Sequence, residues 1–229
     1  MGFWVLKCLL SPIVWLFGRP IIEGAEHVPT RGQVILASNH LAVADSFFLI
    51  LKMRRRITFV AKTEYFTSPG LKGLLKRWFF TAGGQVPIDR GGASAAQGAL
   101  DAATRILEGG GIWAIYPEGT RSPDGRLYKG KTGVIRVALA TGALVVPVVM
   151  SGSETVNPPG SWRWRFGRVR IKICPPLDFS RYRDFSHDRH VVRSATDELM
   201  WVLANNSEQE YVDSYAADVK AGLAAARAS

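Results

Sequence analysis

A histidine and an aspartate five positions apart, His40 and Asp45, stand inside the otherwise apolar run "VILASNHLAVADSFFLI". A buried imidazole is unfavourable unless its ring nitrogens find partners. Such a pair either satisfies itself structurally or moves protons. On one ideal helix, five steps of about 100° set two side chains about 140° apart, so they would not meet. Contact requires His40 in the turn before a helix and Asp45 in its first turn, where the helix dipole favours an anion. The aspartate then accepts the Nδ1 proton and leaves Nε2 as a general base. The spacing alone is a weak signal, because a chain with four histidines matches it readily by chance.

Three further stretches carry charge at the ends of apolar runs. "IYPEGTRSPDG" places Glu118, Gly119, Thr120 and Arg121 directly after one such run. Gly119 lets backbone N–H groups approach an anion. Arg121 can hold a phosphate through two donors. The bland reading is a charged surface turn, which "SPDG" alone would be. "GGQVPIDR" ends in Arg90, and "FVAKTEYF" holds Lys62 two residues before Glu64. Taken singly, these are a solvated arginine and a surface ion pair.

The elements that must position these groups follow from periodicity. "QVILAS", "RITFVAK", "GQVPIDR", "GIWAIYPEG", "LVVPVVMSGS" and "RVRIKICPPLDF" read as strands. Between them, "ADSFFLILKM", "GLKGLLKRWFF", "SAAQGALDAATRILEGG" and "KTGVIRVALATGA" read as helices. Two more helices are expected near residues 188–205 and 208–226. Strands alternating with helices imply an α/β domain with a largely parallel central sheet flanked by helices. Sites in such sheets form at the carboxyl ends of strands. "SNH", "AK", "YPEGTRS" and "MSGS" all fall there and converge on one cleft.

Charge and composition narrow the partners. A formal net charge of +10 directs the protein to anions: nucleic acid, acidic lipid surfaces or phosphorylated substrates. The two cysteines, Cys8 and Cys174, are far apart and outside any metal-ligand spacing, so no metal site is expected. The N-terminal "FWVLKCLLSPIVWLF" is nearly all apolar. As a helix it spans about 22 Å, short of the ~30 Å hydrocarbon core. Pro12 would kink it, and no signal-peptide cleavage site follows. Trp4 and Trp15 suit an interface. The expectation is a helix seated in the membrane surface. The alternatives are a helix packed on the domain's own core, or a span that also uses Ile21 and Ile22.

The ordered blocks "NHLAVADSFFL", "GGQVPIDR", "YPEGTRS" and "VVPVVMSGS" together resemble the 1-acyl-sn-glycerol-3-phosphate acyltransferase family of glycerolipid acyltransferases, over about Ile35 to Ser153. One position departs from the pattern: many members carry Ser or Thr two residues after the histidine, where this chain has Ala42. The resemblance implies a membrane-associated segment at residues 1–20 and one α/β acyltransferase domain at 21–229. It implies direct transfer of a fatty acyl group from a thioester to a lysophospholipid hydroxyl, most simply giving phosphatidic acid. Glycerol-3-phosphate or another lyso-lipid is the alternative acceptor. His40 is then the base and Asp45 its orienting partner. Arg121, Gly119 and Glu118 serve the acceptor phosphate, with Arg90 and Lys62 as second choices. Asn39, Thr120, Pro147 and Gly152 shape the cleft. The implied donor is acyl-coenzyme A or acyl-carrier protein, used as substrate, with no cofactor. The implied place is the cytoplasmic face of the cell membrane, bound monotopically to its lipids.

Rival readings fare worse. A serine hydrolase needs a G-x-S-x-G elbow, which the chain lacks. Nucleic-acid binding rests on charge and on the Arg/aromatic stretch "SWRWRFGRVR", and it leaves the apolar N-terminus and the four blocks unexplained. A non-catalytic membrane module would tolerate loss of His40 and Asp45. The "GLKGLLKRWFF" helix, with Lys72, Lys76 and Arg77 beside its leucines, reads either as a membrane-facing or as a core-packed element.

Overall fold

The computed structural model describes residues 2–88, 92–159, 161 and 163–228. In chain order the elements are α1 (Gly2–Gly18), β1 (Ile21–Glu23), β2 (Val34–Ser38), α2 (Ala44–Lys52), β3 (Ile57–Lys62) and α3 (Glu64–Thr67). There follow α4 (Gly70–Ala82), β4 (Gln85–Ile88), α5 (Gly92–Glu108), β5 (Ile112–Ile115), β6 (Leu127–Tyr128) and α6 (Gly133–Thr141). The chain ends with β7 (Leu144–Ser151), α7 (Ser153–Val156), β8 (Arg170–Ile173), α8 (Arg189–Asn206), β9 (Tyr211–Val212) and α9 (Ala216–Ala228).

Seven strands form one sheet in the order β1-β8-β7-β2-β5-β3-β4. The five from β7 to β4 run parallel, so their carboxyl ends share one edge. β8 is antiparallel to β7 and parallel to β1. The centre of the sheet reads as a continuous apolar run because both of its faces are covered. Val34, Leu36, Ile112, Ala114 and Val146 point to one side, into a core shared with Phe3 and Val14 of α1 and Phe48 and Leu49 of α2. Ile35, Ala37, Trp113 and Val145 point to the other, against Leu107 of α5, Ile135 of α6 and Leu199 of α8. The period-two alternation of side chains along each strand thus builds two core layers from one sheet.

α1 continues through Pro12 and buries Phe3, Leu6, Val14 and Gly18. Its other face carries exposed Trp4, Val5, Leu9, Ile13, Trp15 and Leu16. Ile21 and Ile22 do not extend it; they pair with Arg170 and Ile171 as β1. Among the described residues no helix is long and apolar enough to cross a membrane. The leucine stripe of α4 also turns outward, with Leu71 82% and Leu75 65% exposed, so the core-packing alternative does not hold for that face. Lys72 and Lys76 have side chains outside the described part. In the Arg/aromatic stretch, Trp164 packs on Phe17, Phe47 and Phe48, and Phe166 stacks on Phe17 while staying exposed. Trp162 lies outside the described residues.

The C-terminal expectation needs correcting. Residues from 208 do not open a helix. They run extended to β9, which pairs in parallel with β6, and the helix starts only at Ala216. The N–H groups of Leu127 and Lys129 need acceptors, and Glu210, Val212 and Ser214 carbonyls supply them. That demand comes from elsewhere in the chain and overrides local helix propensity.

Candidate active site

β2 ends at Ser38 and α2 begins at Ala44, so His40 lies in the intervening turn and Asp45 in the first helical turn. His40 Nδ1 is 2.9 Å from Asp45 Oδ2. The same oxygen accepts the backbone N–H groups of Leu41, at 2.8 Å, and Ala42, at 2.9 Å. An oxygen already holding two N–H donors receives the Nδ1 proton rather than giving one, which fixes the tautomer. Nε2 has no partner among the described residues, and the His40 side chain is 16% exposed while Asp45 is fully buried. Ala42, the departure from the family pattern, is buried and contributes through its backbone N–H.

β5 lies beside β2, so the loop after Ile115 reaches the same place. Glu118 is buried, and its two carboxylate oxygens accept the N–H of His40 and the N–H of Tyr128, each at 3.0 Å. Glu118 therefore braces the His40 turn, and neither of its oxygens is bonded to Arg121. Burial pushes its carboxyl up to about 7, against the two backbone donors that pull it down. Ser122 N–H donates to the His40 carbonyl at 2.7 Å, a second tie between the loops. Gly119 sits at φ +75°, a left-handed conformation that side chains rarely adopt, and a Cβ there would press on the Lys131 side chain. Arg121 lines a cavity of about 250 Å³ with Ser122, Pro123, Lys220 and Leu223. Among the described residues it forms no ion pair.

Asn39 is a staple. Its Oδ1 accepts from Met150 N–H at 2.7 Å and its Nδ2 donates to Met150 carbonyl at 2.9 Å, extending the β2–β7 pairing by a side chain. Pro147 sits opposite Ala37 in β7, and its carbonyl accepts from Cys174 N–H at 2.9 Å. Proline has no N–H to return a bond across that pair, so the contact is held from the Cys174 side alone. Gly152, at φ +79°, follows β7; a Cβ there would collide with the Arg168 carbonyl. Lys62 ends β3, on the far side of β5 from β2, with its side chain outside the described part. Arg90 lies outside the described residues. Among the described residues no cluster of three or more His, Cys, Asp or Glu could hold a metal ion.

A family model described as "Acyltransferase" matches residues 19–151, more than half of the chain and the whole of the His40–Arg121 assembly. The chain belongs to the acyltransferase family. It is 33% identical over 168 residues to the 1-acyl-sn-glycerol-3-phosphate acyltransferase of Limnanthes alba, covering 72% of this chain and 57% of that protein. It is 31% identical over 179 residues to a chloroplastic enzyme of the same description in Arabidopsis thaliana, covering 77% of this chain and 49% of that protein. The chain thus spans about half the length of these relatives. The crystal structure of the 1-acyl-sn-glycerophosphate (LPA) acyltransferase PlsC from Thermotoga maritima superposes with a TM-score of 0.67 at 26% identity, over 90% of this chain and 81% of that one.

Three groups at the site of this member of the family escaped sequence reasoning. Tyr116 stacks on His40 with ring centroids 3.7 Å apart, and Phe59 of β3 stands behind it at 5.7 Å. Gln209, in the C-terminal segment, accepts from Asn39 Nδ2 at 2.6 Å and donates to the Gly125 carbonyl at 2.5 Å. Lys220 of α9 donates to Thr120 Oγ1 at 2.8 Å. Tyr116 adjoins the glutamate block and could have been suspected from that; Gln209 and Lys220 carry no local signal. Together the groups give a base with an open nitrogen, a fixed tautomer, a braced loop and adjacent cations. That arrangement can take a proton from a hydroxyl beside a bound anion.

Proposed function

We propose that this acyltransferase moves a fatty acyl group from an acyl thioester to the free hydroxyl of 1-acyl-sn-glycerol-3-phosphate, giving phosphatidic acid. The observation that carries the reading is Asp45 Oδ2, which holds His40 Nδ1 and two backbone N–H groups at once and leaves Nε2 without a partner among the described residues. The names of the relatives support the acceptor, and a cation beside the base loop suits its phosphate.

The chemistry follows from these groups. Nε2 takes the proton of the acceptor hydroxyl as its oxygen bonds to the thioester carbonyl carbon. Asp45 offsets the charge on the imidazolium. The tetrahedral intermediate collapses, the carbon–sulfur bond breaks, and the Nε2 proton passes to the departing sulfur. No enzyme nucleophile takes part, so transfer is direct. Arg121 holds the acceptor phosphate, with Gly119 exposing the loop backbone to it. The donor is acyl-coenzyme A or acyl-carrier protein, and the reading includes no cofactor.

The protein works at a membrane surface, on the cytoplasmic face where acyl thioesters are supplied. The outward faces of α1 and α4, with Leu9, Trp15, Leu71 and Leu75 exposed, and Phe166 stacked on Phe17, support a shallow, one-sided seat.

The test is thiol release from acyl-coenzyme A by purified protein in lipid vesicles. Lysophosphatidic acid, glycerol-3-phosphate and no acceptor are compared, with wild type and His40→Ala. Release that needs lysophosphatidic acid and His40 is expected. Release without acceptor would indicate a thioesterase, and release with glycerol-3-phosphate alone would move the acceptor assignment.

A further inference from the structure

Lys220 and Arg121 come from opposite ends of the fold and meet at one cavity. Arg121 belongs to the loop after β5, and Lys220 to α9, in a part of the chain beyond the family match at residues 19–151. The approach is built rather than incidental. Gln209 bonds both Asn39 and Gly125, β9 pairs with β6, and Lys129 Nζ reaches Asp213 Oδ1 at 2.8 Å. These ties lead the chain back over the site before α9 starts. Lys220 Nζ is then held on Thr120 Oγ1 at 2.8 Å, one residue from Arg121.

Two cations placed together repel, and the repulsion is greater where water is partly excluded. Among the described residues neither Lys220 nor Arg121 is paired with a carboxylate. Burial and the Arg121 charge both lower the Lys220 ammonium, and the Glu118 carboxylate opposes them only in part. The cavity between them, about 250 Å³, has room for a phosphate, and Leu223 and Ala224 form an apolar wall beside it. Ser122, in its lining, is bonded to the His40 carbonyl, so an anion there sits one hydrogen bond from the turn that carries the base.

We propose that Lys220 is a further cation of the acceptor site, joining Arg121 on the phosphomonoester of the lysophospholipid. The C-terminal segment is thereby a part of the substrate site. The assignment rests on the reading under Proposed function for the identity of the acceptor.

The experiment uses the full chain in neutral detergent micelles, as wild type, Lys220→Arg, Lys220→Gln and Lys220→Met, each checked for folding by circular dichroism. Equilibrium binding of lysophosphatidic acid and of monoacylglycerol with the same acyl chain is titrated. The KM values of lysophosphatidic acid and acyl-coenzyme A are measured in parallel. Lys220→Gln and Lys220→Met are expected to weaken lysophosphatidic acid about tenfold, the scale of one charge-assisted hydrogen bond. Lys220→Arg retains most of the affinity, and the loss is confined to the phosphorylated acceptor. Equal loss for both lipids, a change in the acyl-coenzyme A KM alone, or no change would overturn the assignment. Wild type that transfers no acyl group to lysophosphatidic acid would instead sink the proposed function, and the binding titration would still decide the role of Lys220.

Discussion

Tyr116 lies face to face with His40, the ring centroids 3.7 Å apart and the planes 8° from parallel. Its hydroxyl pairs with Ser46 Oγ at 2.8 Å, and Phe59 backs the ring from β3. Asp45 fixes the imidazole at one nitrogen; Tyr116 fixes the plane of the ring. A misaligned base loses rate before it loses affinity. Tyr116→Leu is expected to lower kcat about tenfold to a hundredfold with little change in the acceptor KM. Tyr116→Phe, which keeps the stack, stays close to wild type. Steady-state thiol release on both variants separates the two. A Leu variant with full kcat would show that the stack is packing only.

Asp45→Asn keeps an oxygen for the Leu41 and Ala42 N–H groups and removes the charge that offsets the imidazolium. The expected loss in kcat is about 10²–10⁴-fold, the usual share of general acid–base catalysis. Circular dichroism should show a folded protein. Retained activity would mean that the pair is structural.

Glu118 links pH to stability. Its carboxyl is raised from the ordinary 4.5 to about 7, chiefly by burial. Between those values the folded protein keeps a proton that the unfolded chain has lost. Stability from this group is therefore fully present below about 4.5 and declines as pH rises to about 7. Glu118→Gln has no such titration. The difference in Tm between wild type and Glu118→Gln should fall across that window and level off above it. A difference that does not vary with pH would show that Glu118 is ionised in both states.

Leu71 and Leu75 are exposed on α4, at 82% and 65%. Replacing both with Ser should change stability by less than about 0.5 kcal/mol per site, as exposed substitutions usually do. Vesicle affinity should drop about tenfold or more, since each leucine withdraws apolar area from the interface. Flotation with vesicles reads the second effect and thermal unfolding the first. Unchanged flotation would place the membrane seat elsewhere.

Local patterns in the sequence were enough for the central strands and the helices between them. β2 is buried throughout and apolar from Val34 to Ala37 because both faces of a central parallel strand are covered, and that run is visible in "VILAS". The turn position of His40 and the helical position of Asp45 also followed from spacing, because a contact between residues this close depends on local geometry alone. Other elements gave no such signal. β1 has three residues, too few to show a period, and its strand character comes from pairing with β8. β8 alternates as strands do, but alternation has no direction, and its antiparallel course beside β7 was set by packing.

The sequence by itself determined that His40 and Asp45 flank the turn after one parallel strand, and that Arg121 follows another. Only the tertiary structure decided what surrounds them. The Glu118 carboxylate could have faced a ligand; it faces the N–H of His40, 78 residues away in the chain. Lys220 gives no sign of the site from its own neighbours, yet it lies on Thr120 across 100 residues. Periodicity records how a segment folds against water. It does not record which distant donor a buried acceptor will meet, because that choice is made when all the backbone groups must be satisfied together.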